Sequence, residues 1–259
     1  VQQLQSRRKN KNEEYQKLIE NLEFIILDEA HRNLEYIYEL NYNLQTNNSN
    51  CVMIGLTATP MRRDSSETSV LRKIFEGIFI SPIEGADHSI DLAKEELTKQ
   101  GILAKKINLD PYDVIDQTKI KSINSDIISQ MKSIQLIDHV LEKGASSVLV
   151  FTKDIEESRI LASYLRMRKD SVTAEHLESS TNSEIRRKII QDFRSGNVKV
   201  LFNYGILTTG FDAPKIDTVL ICRPNLSEYD SLYQQMIGRG LRGYKFGGTK
   251  ECTIIHLQY

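Results

Sequence analysis

Two adjacent carboxylates, Asp28 and Glu29, follow the apolar run Phe24-Ile25-Ile26-Leu27, which is typical of a buried strand in a parallel sheet. In open α/β sheets, ligands bind beyond the carboxyl ends of such strands. An acidic pair at that position could hold Mg²⁺ on a nucleotide and place a water molecule against its phosphate. Acids at the start of a helix are also favoured by the helix dipole, and this structural role is the alternative for one of them.

Three further groups of polar residues follow this pair along the chain. Thr57 and Thr59 lie at the end of a second apolar run, where hydroxyl groups often bond to local backbone. The segment from Gly210 to Pro214 has the composition of a turn. Arg239 and Arg242 are three residues apart, so they would share a face on a helix, where a pair of exposed arginines usually serves solubility.

The elements that position these groups alternate between strands and helices. Apolar runs predict strands near residues 24–27, 51–56, 148–151, 199–203, 218–222 and 253–257, and helical spacing is found in the segments between them. Residues 83–124 lack strong periodicity, apart from one short helix predicted at 90–100, and are predicted to be a connector. This alternation predicts an α/β protein with parallel sheets.

Composition limits the class of protein. The chain has 259 residues, of which 40% are hydrophobic and 27% are charged, so two soluble domains are expected. Its formal net charge of -1 requires any face that binds nucleic acid to be local. No apolar run approaches the roughly 20 residues of a membrane span and no secretory signal is present, so we expect a cytoplasmic protein without membrane contact. The cysteines, which lack metal-site spacing, are expected to be core thiols: Cys51, Cys222 and Cys252.

Four segments in order resemble motifs II, III, V and VI of the superfamily 2 helicases and translocases. They are Asp28-Glu29-Ala30-His31 (DEAH), Gly55-Leu56-Thr57-Ala58-Thr59-Pro60, Leu207-Thr208-Thr209-Gly210-Phe211-Asp212-Ala213-Pro214 and Gln235-Met236-Ile237-Gly238-Arg239-Gly240-Leu241-Arg242. The sequences of the last two segments are similar to those of bacterial and phage DEAH-type DNA helicases and restriction-enzyme motor subunits. The resemblance implies two RecA-like parallel-sheet lobes, the first incomplete at its N-terminal side: the C-terminal half of lobe 1 at 1–82, the connector at 83–124, and lobe 2 at 125–259.

The resemblance also implies a role for each motif residue. In the first lobe, Asp28 would hold Mg²⁺, Glu29 would orient and deprotonate the attacking water, and His31 would contact the ATP site and couple it to the other lobe. Thr57 and Thr59 would couple hydrolysis to lobe movement. In the second lobe, Gly210, Asp212 and Gln235 would bind ATP, and Arg239 and Arg242 would act as arginine fingers on the transferred phosphoryl group.

Nucleic acid would contact the second lobe at Thr152 and Thr208. Many members of the family carry a threonine earlier in motif V, where this chain has Asn203-Tyr204-Gly205, so the pattern departs from the family there.

The sequence contains no G-x-x-x-x-G-K-[ST] phosphate-binding loop. The family needs this loop in its first lobe, so the intact protein is expected to be longer and this chain alone is expected to be inactive as an ATPase.

The function implied is that of an ATP- and Mg²⁺-dependent helicase or translocase, on DNA rather than RNA, with partners in a repair or defence complex. Two alternatives stay open: an ATP-gated nucleic-acid clamp without unwinding, and the motor portion of a restriction enzyme.

Overall fold

The computed structural model describes residues 12–30, 33–57, 65–78, 80, 83, 90–122, 124–168, 172–208, 213, 215–228 and 230–258. The chain divides into two compact units, Val1–His88 and Ser89–Tyr259. Four of the predicted site residues lie outside the described residues: His31, Thr59, Gly210 and Asp212.

The first unit is built around two parallel strands. Its elements are α1 (Asn12–Glu20), β1 (Phe24–Asp28), α2 (Leu34–Asn47), β2 (Val52–Leu56) and α3 (Ser65–Ile74). β1 and β2 pair in register, with Phe24 opposite Val52 and Asp28 opposite Leu56. The two strands therefore end at the same edge, where Glu29 follows one strand and Thr57 follows the other.

Only one face of this sheet is covered among the described residues. Leu27 and Ala30 are buried in a cluster with side chains of α1, α2 and α3. The opposite face remains 43–58% exposed at Phe24, Ile26, Val52, Ile54 and Leu56. The prediction that β1 is buried was wrong for this face, because side chains alternate along a strand and the described helices pack on the other side.

The second unit is a larger α/β layer structure. Its helices and strands are α4 (Ile90–Lys99), β3 (Lys105–Leu109), α5 (Ser125–Glu142), β4 (Val148–Phe151), α6 (Ile155–Met167), β5 (Ala174–Leu177), α7 (Ser183–Ser195), β6 (Val200–Asn203), β7 (Thr218–Cys222), α8 (Ser231–Gly238) and β8 (Glu251–Leu257). Short 3-10 turns lie at Pro111–Asp113, Gln117–Lys119 and Tyr244–Phe246.

The strands described in this unit form one parallel sheet in the order β3-β8-β7-β4-β6-β5. The central strands β4, β6 and β7 are buried along their whole length because apolar clusters cover both faces. All strands point the same way, so their C-terminal ends meet at one side, which we call the carboxyl edge. This architecture confirms the predicted α/β fold with parallel sheets.

The segment predicted to be a connector contributes to this sheet. α4 lies at the predicted helix position, but Lys105–Leu109 forms the outermost strand and pairs with β8. Its sequence, Lys-Lys-Ile-Asn-Leu, carries few apolar residues because an edge strand has a neighbour on one side only. The apolar runs that indicate buried strands therefore do not indicate this one.

None of the helices in the described part of the chain is long and apolar enough to cross a membrane.

Candidate functional site

The acidic pair lies at a sharp turn directly after β1. Asp28 is the last residue of the strand, and its Oδ1 accepts a hydrogen bond of 2.9 Å from the backbone N–H of Glu29. Glu29 has a φ of 52°, in the left-handed region that non-glycine residues rarely adopt. Ala30 then donates its N–H to the carbonyl of Leu56 at 2.9 Å. The chain thus turns immediately and leaves both carboxylates at the end of the strand.

Gly55 lets the end of β2 lie close to Phe75 and Ala30. A Cβ at this position would lie 2.4 Å from the Cζ of Phe75 and 2.9 Å from the Cβ of Ala30, so only glycine fits without a shift. Thr57 follows the last residue of β2, which is paired with Asp28. The structure therefore brings Thr57 to the same strand end as the acidic pair.

In the second unit, Arg239 is anchored to the backbone at Thr208. Its Nε and Nη2 donate to the Thr208 carbonyl at 3.1 Å and 2.6 Å. Thr208 is itself fixed, because its hydroxyl donates to the carbonyl of Gly205 at 2.8 Å. Motifs V and VI, 31 residues apart in sequence, are thus joined by the arginine. The shared carbonyl holds one side of the guanidinium group in a defined position.

Arg239 and Arg242 do not share a helix. α8 ends at Gly238, and Arg242 forms an antiparallel bridge with Leu103. The chain leaves the helix because its backbone pairs with the segment after α4: Ala104 donates to the Leu241 carbonyl at 2.9 Å. The expectation of one helical face for both arginines was therefore wrong.

Gly243 makes this change of direction possible. Its N–H donates to the Ile102 carbonyl at 2.9 Å, and a Cβ on Gly243 would lie 2.2 Å from the Gly101 carbonyl oxygen. No side chain can be accommodated at that distance. The segment Gly101–Ala104 therefore acts as a backbone support for the residues after α8.

Gln235 and Thr152 differ in accessibility. Gln235 is a half-buried residue of α8, one turn before Arg239. Thr152 follows β4 at the carboxyl edge but is fully buried, and its hydroxyl donates to the Asp154 carbonyl at 2.7 Å and approaches the Asn203 carbonyl at 3.3 Å. In this conformation Thr152 presents no surface to a ligand.

A pair that sequence reasoning missed lies at the same edge. Arg223 follows β7, and its Cζ lies 3.8 Å from the centre of the Tyr204 ring, which follows β6. This is a close cation–π contact. The departure at Asn203-Tyr204-Gly205 was the only signal in the sequence, and it gave no indication of Arg223 as its partner.

The described residues include no group of three or more His, Cys, Asp or Glu side chains able to hold a metal ion by themselves. Mg²⁺ is commonly held by one or two carboxylates together with substrate phosphates, and an exposed carboxylate at a strand end suits that mode. Asp28 therefore fits the role of a magnesium ligand.

Comparison with known proteins gives matches at both ends of the chain. Residues 131–243 match the family described as the helicase conserved C-terminal domain, and residues 1–62 match the family described as the type III restriction enzyme, res subunit. These segments contain the arginines and the acids, respectively. Together, the two matches support a fragment that resembles the superfamily 2 helicases and restriction-enzyme motors.

A similar protein is found in Saccharomyces cerevisiae. It is provisionally named ATP-dependent helicase IRC3 and is 29% identical over 245 residues, covering 91% of this chain and 34% of the yeast protein. The chain spans less than half the length of the curated relatives it matches.

Two solved structures show the same fold. A fragment assigned to the HsdR subunit of a type I restriction enzyme from Vibrio vulnificus YJ016 has a TM-score of 0.60 at 22% identity and covers 96% of this chain and 46% of its own. The helicase MrfA, solved bound to DNA, also has a TM-score of 0.60, at 15% identity, and covers 96% of this chain and 33% of its own. At these identities the likeness concerns the fold alone.

Proposed function

We propose that the full-length protein is an ATP-dependent helicase or translocase that couples hydrolysis to movement along nucleic acid, with DNA rather than RNA as its track. The observation that carries this proposal is the anchoring of Arg239 on the Thr208 carbonyl at the carboxyl edge of a parallel sheet. The planar, always charged guanidinium group of arginine suits phosphate oxygens, and a guanidinium group fixed by the backbone is how an arginine finger is positioned.

The acids at the end of β1 supply the complementary chemistry. Mg²⁺, when bound with ATP, neutralises charge on the phosphates and on the leaving group. Asp28 would hold this ion, and Glu29 would orient a water molecule and accept its proton. The turn that places them is already formed, because Asp28 accepts the Glu29 N–H at 2.9 Å.

The other motif residues complete the proposal. Gln235, and also His31, Gly210 and Asp212, would bind ATP, and Arg242 would add a second guanidinium group. Thr57 and Thr59 would couple hydrolysis to conformational change. The roles of Thr152 and Thr208 are better described as support of the carboxyl edge, because both hydroxyls are engaged with backbone carbonyls.

Turnover is favoured over a passive clamp by the combination of acids and arginines. A protein that only closes on nucleic acid has no need of a positioned guanidinium group or a general base. The preference for DNA draws support from the match of residues 1–62 to the family described as the type III restriction enzyme, res subunit.

A motor within a restriction enzyme is the second candidate. The match of residues 1–62 to the res subunit family favours it. Such an enzyme would use the same ATP chemistry, and its nuclease and specificity functions would reside elsewhere in the protein or its partners.

The test is the rate of ATP hydrolysis by the full-length protein with and without DNA. We expect DNA to stimulate turnover and Arg239→Ala to reduce kcat by about 10³-fold or more, because charge on the transferred phosphoryl group is no longer neutralised. Arg187→Ala, at an exposed arginine of α7, is the matched control and should keep its activity. Hydrolysis that DNA does not stimulate, or that survives the loss of Arg239, would favour the clamp.

A further inference from the structure

Two side chains from different strands meet at the carboxyl edge of the second unit. Tyr204 comes directly after β6 and Arg223 directly after β7, and these strands lie on either side of β4. Strands that are separated by one neighbour lie about 10 Å apart. Both side chains therefore reach across the end of β4, where they stack with 3.8 Å between the guanidinium carbon and the ring centre.

Arg223 carries its charge without a close carboxylate partner among the described residues. Three other arginines of this unit are paired with carboxylates: Arg159 with Glu178, Arg166 with Glu175 and Arg168 with Asp138. The Nε of Arg223 is buried and has no hydrogen-bond partner within the described part of the chain. Burial lowers the pKa of this guanidinium group; the Tyr204 hydroxyl opposes that shift most, and the charge of Asp154, which caps α6, opposes it less. The edge therefore presents a positive charge that an anion could neutralise.

Tyr204 presents an aromatic surface beside that charge. It remains 42% exposed even though the guanidinium group lies over one side of its ring. Guanidinium groups stacked on aromatic rings are a rigid combination, because each plane limits the rotation of the other. The pair offers an aromatic ring and a cation together at one exposed point.

We propose that Tyr204 and Arg223 form a contact site for single-stranded nucleic acid, in which a base stacks on Tyr204 and a backbone phosphate binds Arg223. Sites for single strands combine aromatic stacking platforms with basic groups that follow the backbone. This inference rests on the proposed function and adds to it a base-stacking contact. The site takes the place of the expected contact at Thr152, whose side chain is fully buried at the same edge.

The first experiment separates stacking from backbone binding. Binding of the full-length protein is measured by fluorescence anisotropy with a labelled oligothymidylate and with an abasic strand of the same length. Tyr204→Leu is expected to weaken binding of the base-bearing strand by about tenfold and binding of the abasic strand by much less, because only the base-bearing strand loses a stacking contact. Tyr204→Phe keeps the ring and should restore wild-type affinity.

The second variant tests the phosphate contact. Arg223→Met keeps an unbranched side chain but removes its charge. It should therefore weaken the binding of both the base-bearing and the abasic strand. The plot of log affinity against log salt concentration should become less steep by about 0.7, which is the value for one lost phosphate contact on a single strand.

Tyr164→Leu is the matched control. Tyr164 is also exposed, at 49%, and Arg168 lies 5.9 Å from its ring centre, but it belongs to the last turns of α6 and not to the carboxyl edge. Its replacement should change neither binding curve. Circular dichroism of each variant separates loss of a contact from loss of fold.

Two results would overturn the inference. One is unchanged binding of oligothymidylate by folded Tyr204→Leu, and the other is an equal loss on the abasic strand. Either leaves the motor proposal intact if DNA still stimulates ATP hydrolysis. Conversely, wild-type protein that binds strands through Tyr204 without stimulated hydrolysis would contradict the motor and preserve the contact site.

Discussion

At the scale of single residues, Glu29 combines an unfavourable backbone with the chemistry proposed for it. Its φ of 52° is adopted readily by glycine but costs a residue with a side chain roughly 1 kcal/mol. Strain of this kind is found at functional sites, where the position of a side chain matters more than its contribution to stability. The Ala30 hydrogen bond to Leu56 on the adjacent strand maintains the turn.

Substitution of Glu29 should separate activity from stability. Glu29→Gln is expected to reduce kcat for DNA-stimulated ATP hydrolysis by about 10²–10⁴-fold, because an amide cannot accept the proton of the attacking water. Glu29→Gly should lose the same activity while raising the free energy of unfolding by up to about 1 kcal/mol. Steady-state kinetics and urea denaturation measure the two effects. A glycine variant that is less stable than wild type would show that the turn is not strained.

At the scale of elements, the N-terminus of α6 contains a buried acid with a raised pKa. Asp154 caps the helix by accepting the Glu157 N–H at 2.7 Å, and Glu157 accepts the Lys153 N–H at 2.9 Å and the Ser129 hydroxyl at 2.7 Å. Burial raises the pKa of Glu157 because desolvation disfavours the charged form more than these bonds favour it. The acid ties α6 to α5.

This shift predicts how stability depends on pH. The folded state holds the proton of Glu157 more tightly than the unfolded chain, so its contribution to stability is complete below the ordinary pKa of 4.5 and is lost as the pH rises through the raised value. Glu157→Gln should reduce the decline in stability over that interval, because the amide can bond to Ser129 without a charge. Thermal melts of both proteins between about pH 4 and 8 measure the difference. Parallel curves would mean that Glu157 does not titrate in this range.

At the scale of the molecule, the two units have separate cores. The core cluster of the first unit draws on α1 to α3 and β1, whereas both clusters of the second unit draw only on residues from Ala104 onward. The first unit also leaves an apolar sheet face exposed among its described residues, and apolar surfaces of this kind favour association. The units should therefore differ in their ability to fold alone.

Separate expression of the units tests this expectation. Residues 89–259 should give a soluble protein with a single cooperative thermal transition, because their sheet is covered on both faces. Residues 1–88 alone should aggregate, and Ile26→Lys with Ile54→Lys should improve their solubility by interrupting the exposed face. Gel filtration and circular dichroism measure both outcomes. A stable monomer of residues 1–88 would contradict the role assigned to this face.

Short-range patterns in the sequence determined the class of the fold and the order of the candidate site residues along the chain. Apolar runs such as Val148–Phe151 and Thr218–Cys222 identify buried parallel strands, since a strand covered on both faces needs apolar residues throughout. The placement of Asp28 and Glu29 at a strand end follows from the same reasoning, because a strand and the residues after it are contiguous in the chain.

Tertiary structure alone decided which distant residues meet. Arg239 binds the Thr208 carbonyl, and Arg223 stacks on Tyr204, only because the sheet order brings the ends of separate strands to one edge. Likewise, Lys105–Leu109 becomes a strand through pairing with β8, and Arg242 leaves the helix face because the backbone after α8 pairs with Leu103 and Ala104. Such contacts depend on backbone hydrogen bonds and strand neighbours, which the identity of the residues does not reveal.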